Sequence, residues 1–82
     1  MMYFVALPFT RIEGGLAPGQ AAECSNGAAA VRRAEAMFAN QANAGAVAFS
    51  RSGDPNLGEF DDAVILKTFG EVPDDFAATQ AG

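Results

Sequence analysis

The chain is 82 residues long, carries a formal net charge of −5 from 10 acidic and 5 basic side chains, and contains no histidine. Lysine and arginine supply most of the affinity for nucleic acids and anionic membranes, so this charge balance argues against both partners. The length predicts one small domain over residues 1–73, and the small polar residues that close the chain predict a flexible tail over residues 74–82.

The first predicted element is a strand over residues 3–10. Its odd-numbered residues from Tyr3 to Phe9 share one face, whereas Phe4, Ala6 and Pro8 share the other. Both faces are largely apolar, which indicates that both are covered. Pro8 lacks a backbone N–H group, so we expect it at a sheet edge or at the end of the strand.

The same apolar run also bears on localisation. Residues 1–9 are too few to span a bilayer, and they lack the basic leading segment of a signal peptide. The single cysteine, Cys24, cannot form an intramolecular disulfide, which suits a reducing compartment. We therefore predict a cytoplasmic protein with no membrane contact.

Residues 11–23 are predicted to be a loop because Gly14-Gly15 and Pro18-Gly19 interrupt any regular element. A phosphate-binding P-loop ends in glycine, lysine and a hydroxyl residue, and this segment contains no lysine. Its glycines also lack the spacing of dinucleotide-binding loops. The segment is interpreted as a plain connector.

A helix is predicted over residues 25–43, with Ser25 or Asn26 as its N-cap and Gly45 as its terminator. The apolar residues at helical spacing are Val31, Ala34, Phe38 and Ala42. Since several of them are alanine, the helix is expected to lie close to the sheet.

A β-hairpin is the strongest pattern in the chain, with strands over residues 46–51 and 63–69. Asp54 and Pro55 suit the first two positions of a type I turn, and Gly58 suits a position with positive φ. This pairing places Arg51 roughly opposite Asp61 and predicts a cross-strand charge pair near the tip.

The element order β-α-β-β predicts an α+β domain with three strands and one helix on one sheet face. We expect the helix to return the chain so that the first and second strands run in the same direction. Spatial order 1-3-2 gives a wholly antiparallel sheet and is preferred, because the apolar run Val64-Ile65-Leu66 indicates a strand buried on both sides. Order 1-2-3 with one parallel pair is the alternative.

No residue pattern specifies a reaction, and we predict no catalytic residue, no cofactor and no metal ligand. Counting from Asp54, the twelfth residue of a calcium-binding loop would be Ile65 instead of glutamate. Without histidine, Cys24 and the serines lack the usual activating base. The protein is therefore more plausibly a binding module than an enzyme.

The predicted function follows from the apolar strand residues that a single helix leaves uncovered. One helix covers one face of a sheet whose strands are apolar on both faces, and uncovered apolar surface usually marks an interface. The predicted interaction surface consists of Tyr3, Val5, Leu7, Phe49, Ile65 and Phe69. Its expected partner is a second copy of the chain, bound by stacking of open faces or by joining of edge strands, or another protein. The competing explanation is that residues 11–23 and the C-terminal tail cover the second face. The alternative is a small-molecule site or minor enzyme, with a pocket between the open sheet face and the loop at residues 11–23.

Three segments resemble a group of short, uncharacterised bacterial proteins of unknown function. They are residues 45–63 (GAVAFSRSGDPNLGEFDDA), residues 3–9 (YFVALPF) and residues 69–76 (FGEVPDDF). The resemblance implies no activity, and it transfers no catalytic or binding residue to this chain.

Overall fold

The computed structural model describes residues 1–54 and 56–74, so the predicted tail over residues 74–82 lies outside the described residues from position 75 onward. The described chain contains one helix and an antiparallel sheet, which confirms the α+β class. The elements are β1 (Met2–Ile12), β2 (Gly15–Pro18), β3 (Ala22–Cys24), α1 (Gly27–Ala39), β4 (Gly45–Asp54), β5 (Glu59–Phe60) and β6 (Val64–Gly70).

The sheet is larger than the three strands predicted. β1 and β4 form its centre and pair along eight consecutive residue pairs, from Met2 with Ser52 to Phe9 with Gly45. β2 and β3 pair with the outer edge of β1, and β6 pairs with the outer edge of β4. The two-residue strand β5 pairs with the same edge of β4 farther along, at Gly53 and Asp54.

Both predicted strand orders need correction. The preferred order 1-3-2 is wrong, because the second predicted strand (β4) lies between the other two. The alternative order 1-2-3 is correct for these three strands, but the expected parallel pair is absent since β1 and β4 are antiparallel. The helix does join two strands that run in the same direction, but these are β3 and β4 and not β1 and β4. β3 and β4 lie on opposite sides of β1, and each is antiparallel to it.

The missed strands lie in the segment predicted to be a loop. β1 and β2 form a tight hairpin in which Ile12 pairs with Gly15 across Glu13 and Gly14. Gly14 has φ 89°, the value required at the third residue of a type II turn. The glycines that suggested a connector therefore form the turn of a hairpin.

Pro8 lies in the middle of a central strand, although an edge or terminal position was expected. Its carbonyl accepts a hydrogen bond from the backbone N–H of Gly19 at 2.8 Å, on the side of β1 that faces β2 and β3. The proline has no N–H to offer on that side. The ladder is correspondingly interrupted there, between the end of β2 at Pro18 and the start of β3 at Ala22.

Helix α1 is shorter than predicted at both ends. Asn26 is its N-cap, and its side-chain oxygen accepts a hydrogen bond from the backbone N–H of Ala29 at 2.8 Å. The helix ends at Ala39, well before Asn43 and Gly45, and Asn40 is its C-cap. The side chain of Asn43 then donates to the carbonyl of Met37 at 2.8 Å, which satisfies one of the terminal acceptors.

The contact between helix and sheet consists of alanines, as the sequence indicated. Ala30 and Ala34 of the helix are fully buried against Ala6 of β1 and against Ala46 and Ala48 of β4. Of the other members of the predicted helical stripe, Val31 is half-buried and packs against this cluster. Phe38 is exposed, and Ala42 follows the end of the helix.

The β4–β6 hairpin is confirmed, but β6 is not buried on both sides. Gly58 has φ 69°, and the Asp54 carboxylate accepts a hydrogen bond from the N–H of Asn56 at 2.9 Å. The two residues predicted to face each other at the tip are in contact, since the Arg51 Nε atom donates to the Asp61 backbone carbonyl at 3.0 Å. The charge pair between their side chains stays a prediction. Val64 is 60% exposed and Leu66 is 38% exposed, because β6 is an outer strand with no neighbour beyond it among the described residues.

Candidate interaction surface

The sheet has one face under the helix and one face turned away from it. Ala6, Ala46 and Ala48 contact the helix, so the even-numbered residues of β1 and β4 point toward α1. The odd-numbered residues of both strands therefore point away from it. We call this second surface the open face.

Five of the six predicted surface residues come together on the open face. Val5, Phe49 and Ile65 form one row across β1, β4 and β6, since Val5 pairs with Phe49 and Phe49 pairs with Ile65. Tyr3 and Leu7 flank Val5 along β1. All five side chains are half-buried. We call this group, Tyr3, Val5, Leu7, Phe49 and Ile65, the apolar patch.

Phe69, the sixth predicted residue, lies on the helix side of the sheet. It pairs with Ala46, packs against the alanine core and stacks with Phe38 at 6.4 Å between ring centroids. Ile65 and Phe69 are four residues apart and would share a face in a regular strand. The β-bulge at Leu66 inserts one extra residue between their positions, which reverses the alternation.

Charged side chains border the patch on two sides. Arg51 pairs with Tyr3 in the β1–β4 ladder, and Glu23 pairs with Val5 in the β1–β3 ladder. Both residues are exposed. The patch is thus bordered by a positive charge on β4 and by a negative charge on β3.

The chain that follows β6 crosses the end of the open face that is farther from Arg51, where Gly45 pairs with Phe9. A Cβ atom added to Gly45 would lie 1.9 Å from the Glu71 carbonyl oxygen, so the backbone of Glu71 rests directly on Gly45. The Glu71 carboxylate pairs with Arg11 of β1, and its N–H donates to the Ala44 carbonyl at 3.0 Å. We call residues 71–74 the strap.

Cover of the second face by the end of the chain was one expectation, but a crossing at residues 71–74 was not predicted, although a signal for it exists. Gly45 begins a strand whose next four residues are apolar, and it has no positive φ to explain its presence. A glycine at such a position often marks the close approach of another backbone. The glycine at position 45 therefore indicates that another segment of the backbone crosses the sheet at this point.

A shallow groove of about 440 Å³ lies on the far side of the molecule, between the end of β3 and the outer face of α1. It is lined by Cys24, Ser25, Ala29, Arg32, Arg33 and Ala36. The Cys24 thiol donates to the Ala22 carbonyl at 3.7 Å. Arg32 and Arg33 are exposed, and within residues 1–54 and 56–74 neither forms an ion pair.

This groove is not the pocket expected for a small-molecule site. Residues 11–23 form the end of β1, the turn to β2, β2 itself and most of β3, so they belong to the sheet and do not fold over the open face as a lid. In the described part of the chain, no three acidic or cysteine side chains converge on a common point as metal ligands would. The helix α1, with 13 residues, is too short to cross a membrane.

Comparison with known proteins adds no relative. No family model, no curated protein and no solved structure matches this chain. The function proposed below therefore rests on the surfaces described above.

Proposed function

We propose that the protein is a small, non-catalytic interaction module that forms a homodimer through the apolar patch on its open face. The observation that carries this proposal is the row of Val5, Phe49 and Ile65 on the side of the sheet that α1 does not cover. Apolar side chains gathered on a sheet face that no helix covers usually mark a contact surface. We propose the cytoplasm as its location, because a single cysteine permits no intramolecular disulfide.

Pairing of sheet edges is a less favourable mode of association than stacking of open faces. The β6 edge carries the exposed Lys67 near its centre and a bulge at Leu66, two features that discourage another strand from pairing there. The edge formed by β2 and β3 is interrupted after Pro18, so it offers no long run of backbone groups.

The charges beside the patch favour a second copy as the partner. In a twofold dimer each copy presents the same surface, so a surface with opposite charges on its two sides can complement itself. A twofold axis between Arg51 and Glu23 brings Arg51 of one copy over Glu23 of the other. Such rim pairs add little affinity, but they favour one orientation of the two sheets.

The test is a matched pair of valine-to-threonine variants, because threonine keeps the shape of valine and adds a hydroxyl group. Val5→Thr lies in the centre of the patch, whereas Val64→Thr lies on the outer strand. Sedimentation equilibrium would measure the dimer Kd of both variants and of the wild type. We expect Val5→Thr to raise the Kd about tenfold, which corresponds to about 1.4 kcal/mol, and Val64→Thr to leave it unchanged.

Two results would contradict the proposal. One is a wild-type chain that stays monomeric at about 100 μM, well above the concentrations at which a micromolar Kd gives dimers. The other is an equal effect of the two threonine variants, since the association would then not involve the open face.

The second candidate function is binding of a small anionic molecule in the groove beside α1. The observation in its favour is that Arg32 and Arg33 line this groove on an otherwise acidic chain. A ligand that binds the native state raises the melting temperature in a saturable manner. A thermal-shift series with phosphate and small carboxylates, repeated with Arg33→Gln, would therefore separate this function from the first.

A further inference from the structure

We infer that the strap, residues 71–74, restricts the homodimer by occupying one end of the open face, and that the Arg11–Glu71 ion pair holds it there. This inference rests on the homodimer proposed above. It concerns how much of the open face a second copy can reach.

The position of the strap is fixed by contacts on two strands. Gly70 has φ 64°, a left-handed conformation that redirects the chain at the end of β6. Glu71 then lies over Gly45 of β4, and its carboxylate reaches Arg11 of β1. Gly45 and Arg11 are both odd-numbered and belong to the open face. The strap therefore runs across that face, from β6 over β4 toward β1.

Burial on the open face increases toward the strap. Phe9 pairs with Gly45, and Val47 is the next residue of β4 on the same face. Phe9 is 2% exposed and Val47 is fully buried, whereas the five residues of the apolar patch are half-buried. Val72 and Pro73, which follow Glu71 in the strap, are half-buried as well.

A second sheet cannot stack flat on both ends of this face while the strap is in place. Stacked sheets lie about 10 Å apart, and the side chains of the two inner faces fill that space. Over Gly45 the space is occupied by the backbone of Glu71. Release of the strap would add the Phe9 and Val47 end of the face to the contact.

Two variants release the strap in different ways. Gly45→Ala places a methyl group where the Glu71 carbonyl lies, and the required backbone conformation suits alanine because Gly45 has no positive φ. Arg11→Gln removes the ion pair and leaves Gly45 unchanged. Arg32→Gln is the matched control, since it removes the same charge from an exposed arginine on α1 that forms no ion pair within the described residues.

Two measurements are made on each variant: the dimer Kd by sedimentation equilibrium, and hydrogen exchange of the Glu71 amide, which bonds to the Ala44 carbonyl. We expect faster exchange in Gly45→Ala and Arg11→Gln, with a Kd at least about tenfold lower in the first. In Arg11→Gln the Kd should fall about two- to fivefold, because an exposed ion pair contributes little. Arg32→Gln should match the wild type in both measurements.

The outcomes separate this inference from the homodimer itself. Faster Glu71 exchange with an unchanged or higher Kd would overturn the inference and leave the dimer intact. Unchanged exchange in both variants would also overturn it, because the strap would then be held by other contacts. If the wild type and all variants remain monomeric, the proposed homodimer fails, and the restriction fails with it even where Glu71 exchanges faster.

Discussion

Replacement of Ala34 by leucine tests whether the helix packs closely on the sheet. Ala34 is fully buried, and its neighbours in the core are alanines from α1, β1 and β4. Three additional carbon atoms have no free space there, so α1 must move away from the sheet or the leucine must adopt a strained rotamer. Overpacking of this kind costs about 1–3 kcal/mol.

That cost is large for a chain of 82 residues, whose total stability is expected to be about 4–12 kcal/mol. Urea unfolding, followed by circular dichroism, would measure the free energy of unfolding of Ala34→Leu. The melting temperature should fall by at least about 4 °C.

Ala36→Leu is the control for this experiment, because Ala36 is exposed on the same helix and leucine has nearly the helix propensity of alanine. We expect this variant to lie within about 0.5 kcal/mol of the wild type. Equal stability of the two leucine variants would refute the close packing of helix and sheet. A lower urea m-value in Ala34→Leu alone would indicate a looser native state as well.

Two further substitutions test local features of the fold. Asn26→Ala removes the side-chain oxygen that accepts from the Ala29 N–H, and it should lower the free energy of unfolding by about 1 kcal/mol. Ser25→Ala should lower it by less. If urea unfolding gave the same decrease for both variants, Asn26 would not be the cap. Lys67→Val removes the charge from the centre of the β6 edge, and we expect light scattering to show concentration-dependent aggregation. The aggregation should persist when Val5→Thr is added, because sheet edges and not open faces would associate. No aggregation at about 100 μM would mean that the bulge alone protects this edge.

The hairpin and the helix N-terminus were predictable from the sequence because short-range chemistry determines them. Gly58 supplies the positive φ in the turn, and Asp54 accepts a hydrogen bond from the backbone two residues on. Asn26 caps the helix by the same kind of local bond. In each case the residues that decide the conformation are within a few positions of one another.

The strand order could not be predicted in this way, because it depends on a strand that the sequence barely marks. β3 has three residues and follows two glycine-containing breaks, so nothing in its composition suggests a strand. Its pairing with β1 nevertheless determines the outcome: once the outer edge of β1 is occupied by β2 and β3, β4 must take the other edge.

Which side chains share the open face was predictable in part. Simple alternation correctly brings Tyr3, Val5 and Leu7 together, because β1 is regular along its pairing with β4. The same rule fails for Phe69, since the bulge at Leu66 adds one residue that alternation does not count. The position of the strap could not be predicted for a different reason: its contacts join residues more than twenty positions apart, from Gly45 to Glu71.

The distribution of buried side chains links the stability of the monomer to its association. Beneath α1 the fully buried residues are alanines, which bury little apolar area each. The largest fully buried side chains, Phe9 and Val47, both lie on the open face. The apolar surface that stabilises the fold is therefore continuous with the patch that we propose as the dimer contact. A partner that binds only the folded chain raises its stability by mass action, so a protein with this arrangement should melt at higher temperature as its concentration increases.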